Sequence, residues 1–122
     1  MEKEQRLPDG ELQIMQIVWR QQPPVPRSAI ERGIDRALAP STVITVLSRL
    51  CDKGFLKVEH RGRTNYYTPL IAERDYLARQ SRSLLDQLFG GSVAAFATSL
   101  CDGGISREEI EQLRRLLEEG AL

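Results

Sequence analysis

At 122 residues and 13.8 kDa the chain makes one domain, or one small domain with an appendage. Its 41% hydrophobic content suits a soluble globular protein, no apolar run approaches the ~20 residues of a membrane span, and the charged start Met1-Glu-Lys-Glu-Gln-Arg leads into no apolar signal core. A formal net charge of zero argues, taken alone, against a nucleic-acid partner.

That average hides a segregation. Through Ala72 there are 11 Lys and Arg against 8 Asp and Glu, whereas from Glu73 onward there are 6 against 9. Within 39–65 the basic residues are Arg49, Lys53, Lys57, Arg61 and Arg63, opposed only by Asp52 and Glu59. A local positive face of this kind is what phosphate binding requires. The two cysteines, Cys51 and Cys101, form neither a metal-ligand spacing nor a redox pair, so a cytoplasm with reduced thiols is expected.

In chain order, Leu12, Met15, Val18 and Trp19 recur at helical spacing and predict a first helix over 9–21. Gln21-Gln-Pro-Pro-Val-Pro ends it, and Val25 with its neighbours fits a short edge strand. A second helix is predicted over 27–37, burying Ile30, Ile34 and Ala37. Leu38-Ala39-Pro40 is a turn, and Pro40 suits a first helical position because its missing N–H costs nothing there.

The third helix, about 40–53, projects at about 100° per residue. Val43, Val46, Leu47 and Leu50 fall in one arc and face the core, while Ser41, Thr45, Ser48 and Asp52 fall opposite, flanked by Thr42 and Arg49. Gly54 fits a left-handed cap. Leu56, Val58 and His60 then alternate with Lys57, Glu59 and Arg61, Gly62 suits a hairpin tip, and Asn65-Tyr-Tyr-Thr returns to Pro69. Three helices followed by a hairpin over about 56–69 is the order of a winged helix-turn-helix.

From about 72 the pattern is purely helical. Tyr76, Leu77, Leu84, Leu85, Leu88 and Phe89 form one stripe, and Val93, Phe96, Ala97 and Leu100 a second after Gly90-Gly91-Ser92. Ser106-Arg-Glu-Glu109 reads as a capping box ahead of Ile110, Leu113, Leu116 and Leu117. Three short helices in 50 residues rarely bury enough surface to fold alone, which predicts pairing with a second copy. The expected dimerisation residues are Leu84, Leu85, Leu88, Phe89, Val93, Phe96, Leu100, Ile110, Leu113 and Leu117.

Leu7-Pro-Asp-Gly-Glu-Leu-Gln-Ile-Met-Gln-Ile-Val-Trp19, Ser41-Thr-Val-Ile-Thr-Val-Leu-Ser-Arg-Leu50, Lys53-Gly54, Gly62-Arg63, Tyr67 with Pro69-Leu70, and Leu88-Phe89-Gly90-Gly91-Ser92 resemble the penicillinase-repressor (BlaI/MecI) family. Ile105-Ser-Arg-Glu-Glu-Ile-Glu-Gln-Leu113 is similar to that family's last helix. The match spans nearly the whole chain, and its specificity lies in the combination. The resemblance implies a homodimeric transcriptional repressor on a palindromic, inverted-repeat operator in double-stranded DNA. Its mainly α fold would comprise a winged-helix DNA-binding domain over 1–72 and a three-helix dimerisation domain over 73–122. No cofactor, metal or membrane is implied, and a regulatory protease or other inducer is the further partner.

Carried onto these positions, the start of the recognition helix makes Ser41, Thr42 and Thr45 the base-reading candidates, and Arg49, Arg61 and Arg63 the phosphate candidates. The position after Pro40, often basic in relatives, is Ser41 here. Where well-known members are cleaved at an Asn-Phe bond, the nearest matching pair is Thr98-Ser99, and the C-terminal cysteine cluster of the copper-responsive branch is absent. The inducing signal therefore stays open among proteolysis, ligand and redox.

Each assignment has a plainer reading. Ser41, Thr42 and Thr45 also suit a solvated helix face, and Arg61 and Arg63 an ordinary hairpin tip. Arg49 is balanced between phosphate and an acid of the first helix such as Glu11. Lys53 and Lys57 are expected to solvate the helix end and strand, and Cys101 to be partly exposed. His60 is expected half-buried in its strand, Trp19 in the core, and Cys51 packed as a small hydrophobe. With a single histidine, no Gly-rich phosphate loop and no nucleophile-base pairing, an enzyme is not expected. The alternative to a repressor is a winged-helix protein-interaction module, for which the apolar Ile44 beside the hydroxyl face is the one hint.

Overall fold

Prolines set the starts of the first three helices. Pro8 precedes α1 (Asp9–Trp19), Pro26 precedes α2 (Arg27–Gly33), and Pro40 occupies the first turn of α3 (Pro40–Asp52). Pro8 and Pro26 hold extended backbone from which a helix can begin, and Pro40 starts one without wasting a donor. The computed structural model describes residues 6–34 and 38–120. The remaining elements are β1 (Val25–Pro26), β2 (Leu56–Arg61), β3 (Thr64–Pro69), α4 (Glu73–Phe89), α5 (Val93–Asp102) and α6 (Arg107–Glu118). They form a mainly helical winged-helix fold with a small antiparallel sheet in the order β1-β3-β2.

The end of α3 is fixed by a Schellman motif. Gly54 takes φ +83°, Phe55 N–H donates to the Leu50 carbonyl at 2.9 Å, and Gly54 N–H to that of Cys51 at 3.1 Å. This turn aims the chain into β2, which pairs with β3 from Leu56 opposite Pro69 to Arg61 opposite Thr64. Only Gly62 and Arg63 remain for the loop, with φ +63° at Gly62, as a two-residue turn beginning on glycine requires. Leu70 N–H donating to the Phe55 carbonyl at 2.8 Å closes the base of the hairpin.

Two compact units divide the chain, Met1–Gln80 and Ser81–Leu122. The first holds one continuous core of Leu7, Ile14, Met15, Val18, Val25, Ile30, Val43, Val46, Leu47, Leu50, Phe55, Leu56, Tyr67 and Tyr76. Tyr76, in the first turns of α4, accepts from Leu7 N–H at 2.9 Å and packs against Trp19 and Phe55, each with ring centroids 5.7 Å away. Trp19 Nε1–H donates to the Ile71 carbonyl at 2.9 Å. Trp19 is thus part of the core's edge, as the sequence suggests.

In the second unit the helix starts are well made. Ser92 Oγ accepts from Ala95 N–H at 3.0 Å. Ser106 and Glu109 form the predicted capping box, with Ser106 Oγ accepting from Glu109 N–H at 3.1 Å and Glu109 Oε1 from Ser106 N–H at 2.9 Å. Phe89 meets Phe96 edge to face at 5.4 Å. Yet no residue of α5 or α6 is buried.

The structure departs from the sequence expectations in places. The second helix ends at Gly33 rather than continuing to 37; Ile34 is already extended and half-buried, and Ala37 lies outside the described residues. Glycine at that end lets α2 approach α1, since a Cβ there would come within 3.0 Å of the Ile17 side chain. The alternation in β2 fades after Leu56: Val58 is 36% exposed and His60 is exposed rather than half-buried. The sheet offers no covering layer at that end, so His60 turns to its cross-strand partner and pairs its Nδ1 with Asn65 Oδ1.

Candidate nucleic-acid interface

The core arc of α3 is buried as its spacing demands, with Val43, Val46, Leu47 and Leu50 all under cover. The opposite face is therefore forced outward, and Ser41, Thr42, Thr45, Ser48 and Arg49 are exposed. No side chain caps the start of this helix. The first N–H groups of a helix have no intrahelical acceptor, so Ser41 and Thr42 sit where free donors and the positive end of the helix dipole coincide. Val43 N–H makes the first intrahelical bond, to Ala39 at 3.1 Å.

The three hydroxyl candidates are not equivalent. Thr45 Oγ1 donates to the Ser41 carbonyl at 3.1 Å, one turn back along α3. Its proton is thereby occupied, leaving an acceptor oxygen and an outward methyl. Ser41 and Thr42 carry no such bond among the described residues and keep both donor and acceptor capacity. Ile44, 50% exposed, adds an apolar surface to the edge of the same face.

The arginines differ as well. Arg61 lies over the Tyr66 ring, 5.0 Å from its centroid, with Glu59 Oε1 3.9 Å from the guanidinium. Glu59 stands directly opposite Tyr66 across the hairpin, and Arg61 two residues on shares that face, so the strand register builds the group. Arg63 at the tip and Arg49 in the last turn of α3 are exposed and make no ion pair among the described residues. The pairing of Arg49 with Glu11 is not found. Lys53 takes that carboxylate instead, Nζ to Oε1 2.5 Å, and so does not merely solvate the helix end.

Tyr66 and the Glu11–Lys53 pair are the features that sequence reasoning missed. For Tyr66 the period-2 alternation held the signal; for Glu11 and Lys53, 42 positions apart, no local signal exists. Cys51 is half-buried against the core, where burial and the adjacent Asp52 push its thiol up. Cys101 is exposed. No three His, Cys, Asp or Glu among the described residues are grouped to hold a metal, and no single helix is long and apolar enough to cross a membrane.

An exposed hydroxyl face on α3 thus accompanies an arginine-tipped two-stranded wing in the same unit. The family model described as penicillinase repressor matches residues 7–119. The chain belongs to the penicillinase repressor family. It is 32% identical over 121 residues to the penicillinase repressor of Bacillus licheniformis, covering 98% of this chain and 94% of that one. It is 24% identical over 119 residues to the methicillin resistance regulatory protein MecI of Mammaliicoccus sciuri, covering 96% and 97%. Among solved structures it matches the Bacillus licheniformis BlaI monomeric form in complex with the blaP half-operator. That likeness has a TM-score of 0.50 at 32% identity, covering 62% of this chain and 94% of the other. The family is one of transcriptional repressors, not enzymes.

Proposed function

We propose that this protein is a homodimeric transcriptional repressor that binds a palindromic operator through α3 in the major groove, with the hairpin on the adjoining backbone. The carrying observation is the face of α3: hydroxyls and open helix-start donors outward, on a chain similar to a repressor whose structure holds a half-operator. Ser41, Thr42 and Thr45 read bases. The first two donate or accept at base edges, and Thr45, its proton engaged, offers its methyl to thymine. Ile44 fits the same apolar contact, which makes its exposure compatible with groove reading rather than a mark of a protein-docking module.

Arg63 and Arg49 bind phosphate directly. Arg61 does so from a fixed position, since Tyr66 and Glu59 hold its guanidinium before DNA arrives. DNA binding is assigned to 1–72 and dimerisation to 73–122. The exposed Leu84 and Leu88 of α4, Val93 of α5 and Leu113, Leu116 and Leu117 of α6 support this division, because a second copy is the simplest cover for them. The job is done in the cytoplasm, where a bacterial-type operator is found. Loss of repression is assigned to a protease or other inducer acting on the second region.

Selection from genomic fragments with the purified protein tests the reading. Enrichment of one inverted repeat is expected, with affinity falling steeply as salt rises and counterions return to the phosphates. In anisotropy titrations Arg63→Ala should weaken binding to all duplexes alike, whereas Thr45→Ser, which removes the methyl and keeps the hydroxyl, should change the preference among bases. Absence of any enriched motif at low salt would sink the repressor reading and leave the interaction module.

A further inference from the structure

Glu11 is the one buried charged residue among the described residues, its side chain 6% exposed, and it meets Lys53, 31% exposed, across 2.5 Å. Glu11 lies in the first turn of α1 and Lys53 caps the end of α3. The carboxylate therefore sits at the positive end of one helix and the ammonium at the negative end of the other, so both dipoles favour the pair. Burying an ion pair seldom improves stability over an apolar pair of the same size. Its physical difference from the rest of the core is direction. Leucine and valine contacts tolerate small rotations of one helix on another, but a shift that separates Glu11 from Lys53 leaves a charge buried and unpaired.

Groove reading needs that direction. Hydrogen bonds at base edges weaken steeply with distance and angle, and α3 carries Ser41, Thr42 and Thr45 as a rigid rod whose far end is Lys53. We infer that the Glu11–Lys53 pair is a positioning device for the DNA-reading helix, fixing the pitch and rotation of α3 on α1. It supplies sequence discrimination and no phosphate attraction, because the charge of Lys53 is already answered by Glu11. The inference rests on the proposed reading of α3.

The test uses the full chain, the inverted repeat recovered by selection, and a scrambled duplex of equal length, titrated across a salt series with melting measured in parallel. Glu11→Gln and Lys53→Met should each lower the specific-to-scrambled affinity ratio about 10-fold while leaving the salt slope unchanged. Lys53→Arg, which keeps a cation within reach of Glu11, should retain the ratio. The isosteric Glu11→Gln carries the test if Lys53→Met does not fold. An unchanged ratio with only a lower melting temperature would overturn the inference, since the pair would then only stabilise. A salt slope shallower by about 0.9 per protomer, about 1.8 for the dimer on the repeat, in Lys53→Met would overturn it too, by making Lys53 a phosphate contact. If the native chain itself fails to prefer the repeat, the reading of α3 is what fails, and the inference goes with it.

Discussion

The two units of this chain use helices of similar length to opposite ends. In Met1–Gln80 the apolar arcs of three helices and one face of a small sheet close over one another, and Ile14, Met15, Val18, Ile30 and Leu50 lose all contact with solvent. In Ser81–Leu122 the helices are at least as well capped, yet Leu88 is 70% exposed, Val93 67% and Leu117 52%. Good local structure is therefore not what separates them. Tertiary closure is: a helix face becomes a core only when something of matching shape covers it, and most helical stability in proteins comes from that packing. The first unit finds its cover within itself, and the second leaves its apolar faces exposed.

Core truncation should sharpen this contrast most. Leu50→Ala, at a site 0% exposed, should cost about 2–5 kcal/mol and lower the melting temperature of the first unit by more than 10 °C, to order of magnitude, in calorimetry. Next comes Leu113→Asp on the α6 stripe, now 42% exposed. It should weaken self-association about 30-fold, equivalent to about 2 kcal/mol, in sedimentation equilibrium and leave the first unit's melting unmoved. Equal destabilisation of both units would break the comparison.

A smaller effect is expected from Gly54→Ala. Nothing lies within 4 Å of the added Cβ, so the cost is that of holding alanine at φ +83°, about 1–2 kcal/mol, visible as a lower denaturant midpoint. Ser106→Ala should cost the second unit about 1 kcal/mol of α6 stability, read as lost far-ultraviolet helicity. The least effect is that of pH on the same cap. The Ser106 N–H and hydroxyl hold the Glu109 carboxyl below its usual range. A lowered folded-state value means that the capping contribution is present above the ordinary glutamate range and is lost as pH falls through the lowered one. α6 helicity should decline with acid there, and Glu109→Gln should flatten that decline.

Much of the fold was legible because its signals are local. The arc of Val43, Val46, Leu47 and Leu50 fixed which face of α3 points inward, and hence that Ser41, Thr42 and Thr45 point out. Gly54 and Gly62 marked the two turns that make the wing, and Ser106 with Glu109 marked the start of α6. The second helix was read too long because Ile34 continues the apolar spacing, while in the structure Ile34 is already extended and the helix ends at Gly33, close against Ile17 of α1. His60 followed the strand alternation in sequence, but no layer covers that end of the hairpin.

By itself, then, the order of residues determined the elements, their boundaries to within a few positions, and the outward hydroxyl face, since each follows from contacts within a turn or a strand. Tertiary structure alone decided that Lys53 rather than Arg49 answers Glu11, and that Arg61 rests on Tyr66 while Arg63 stands clear. The reason is reach. Which charge meets which across 42 positions depends on how two helices come to rest against each other, and periodicity carries no record of that.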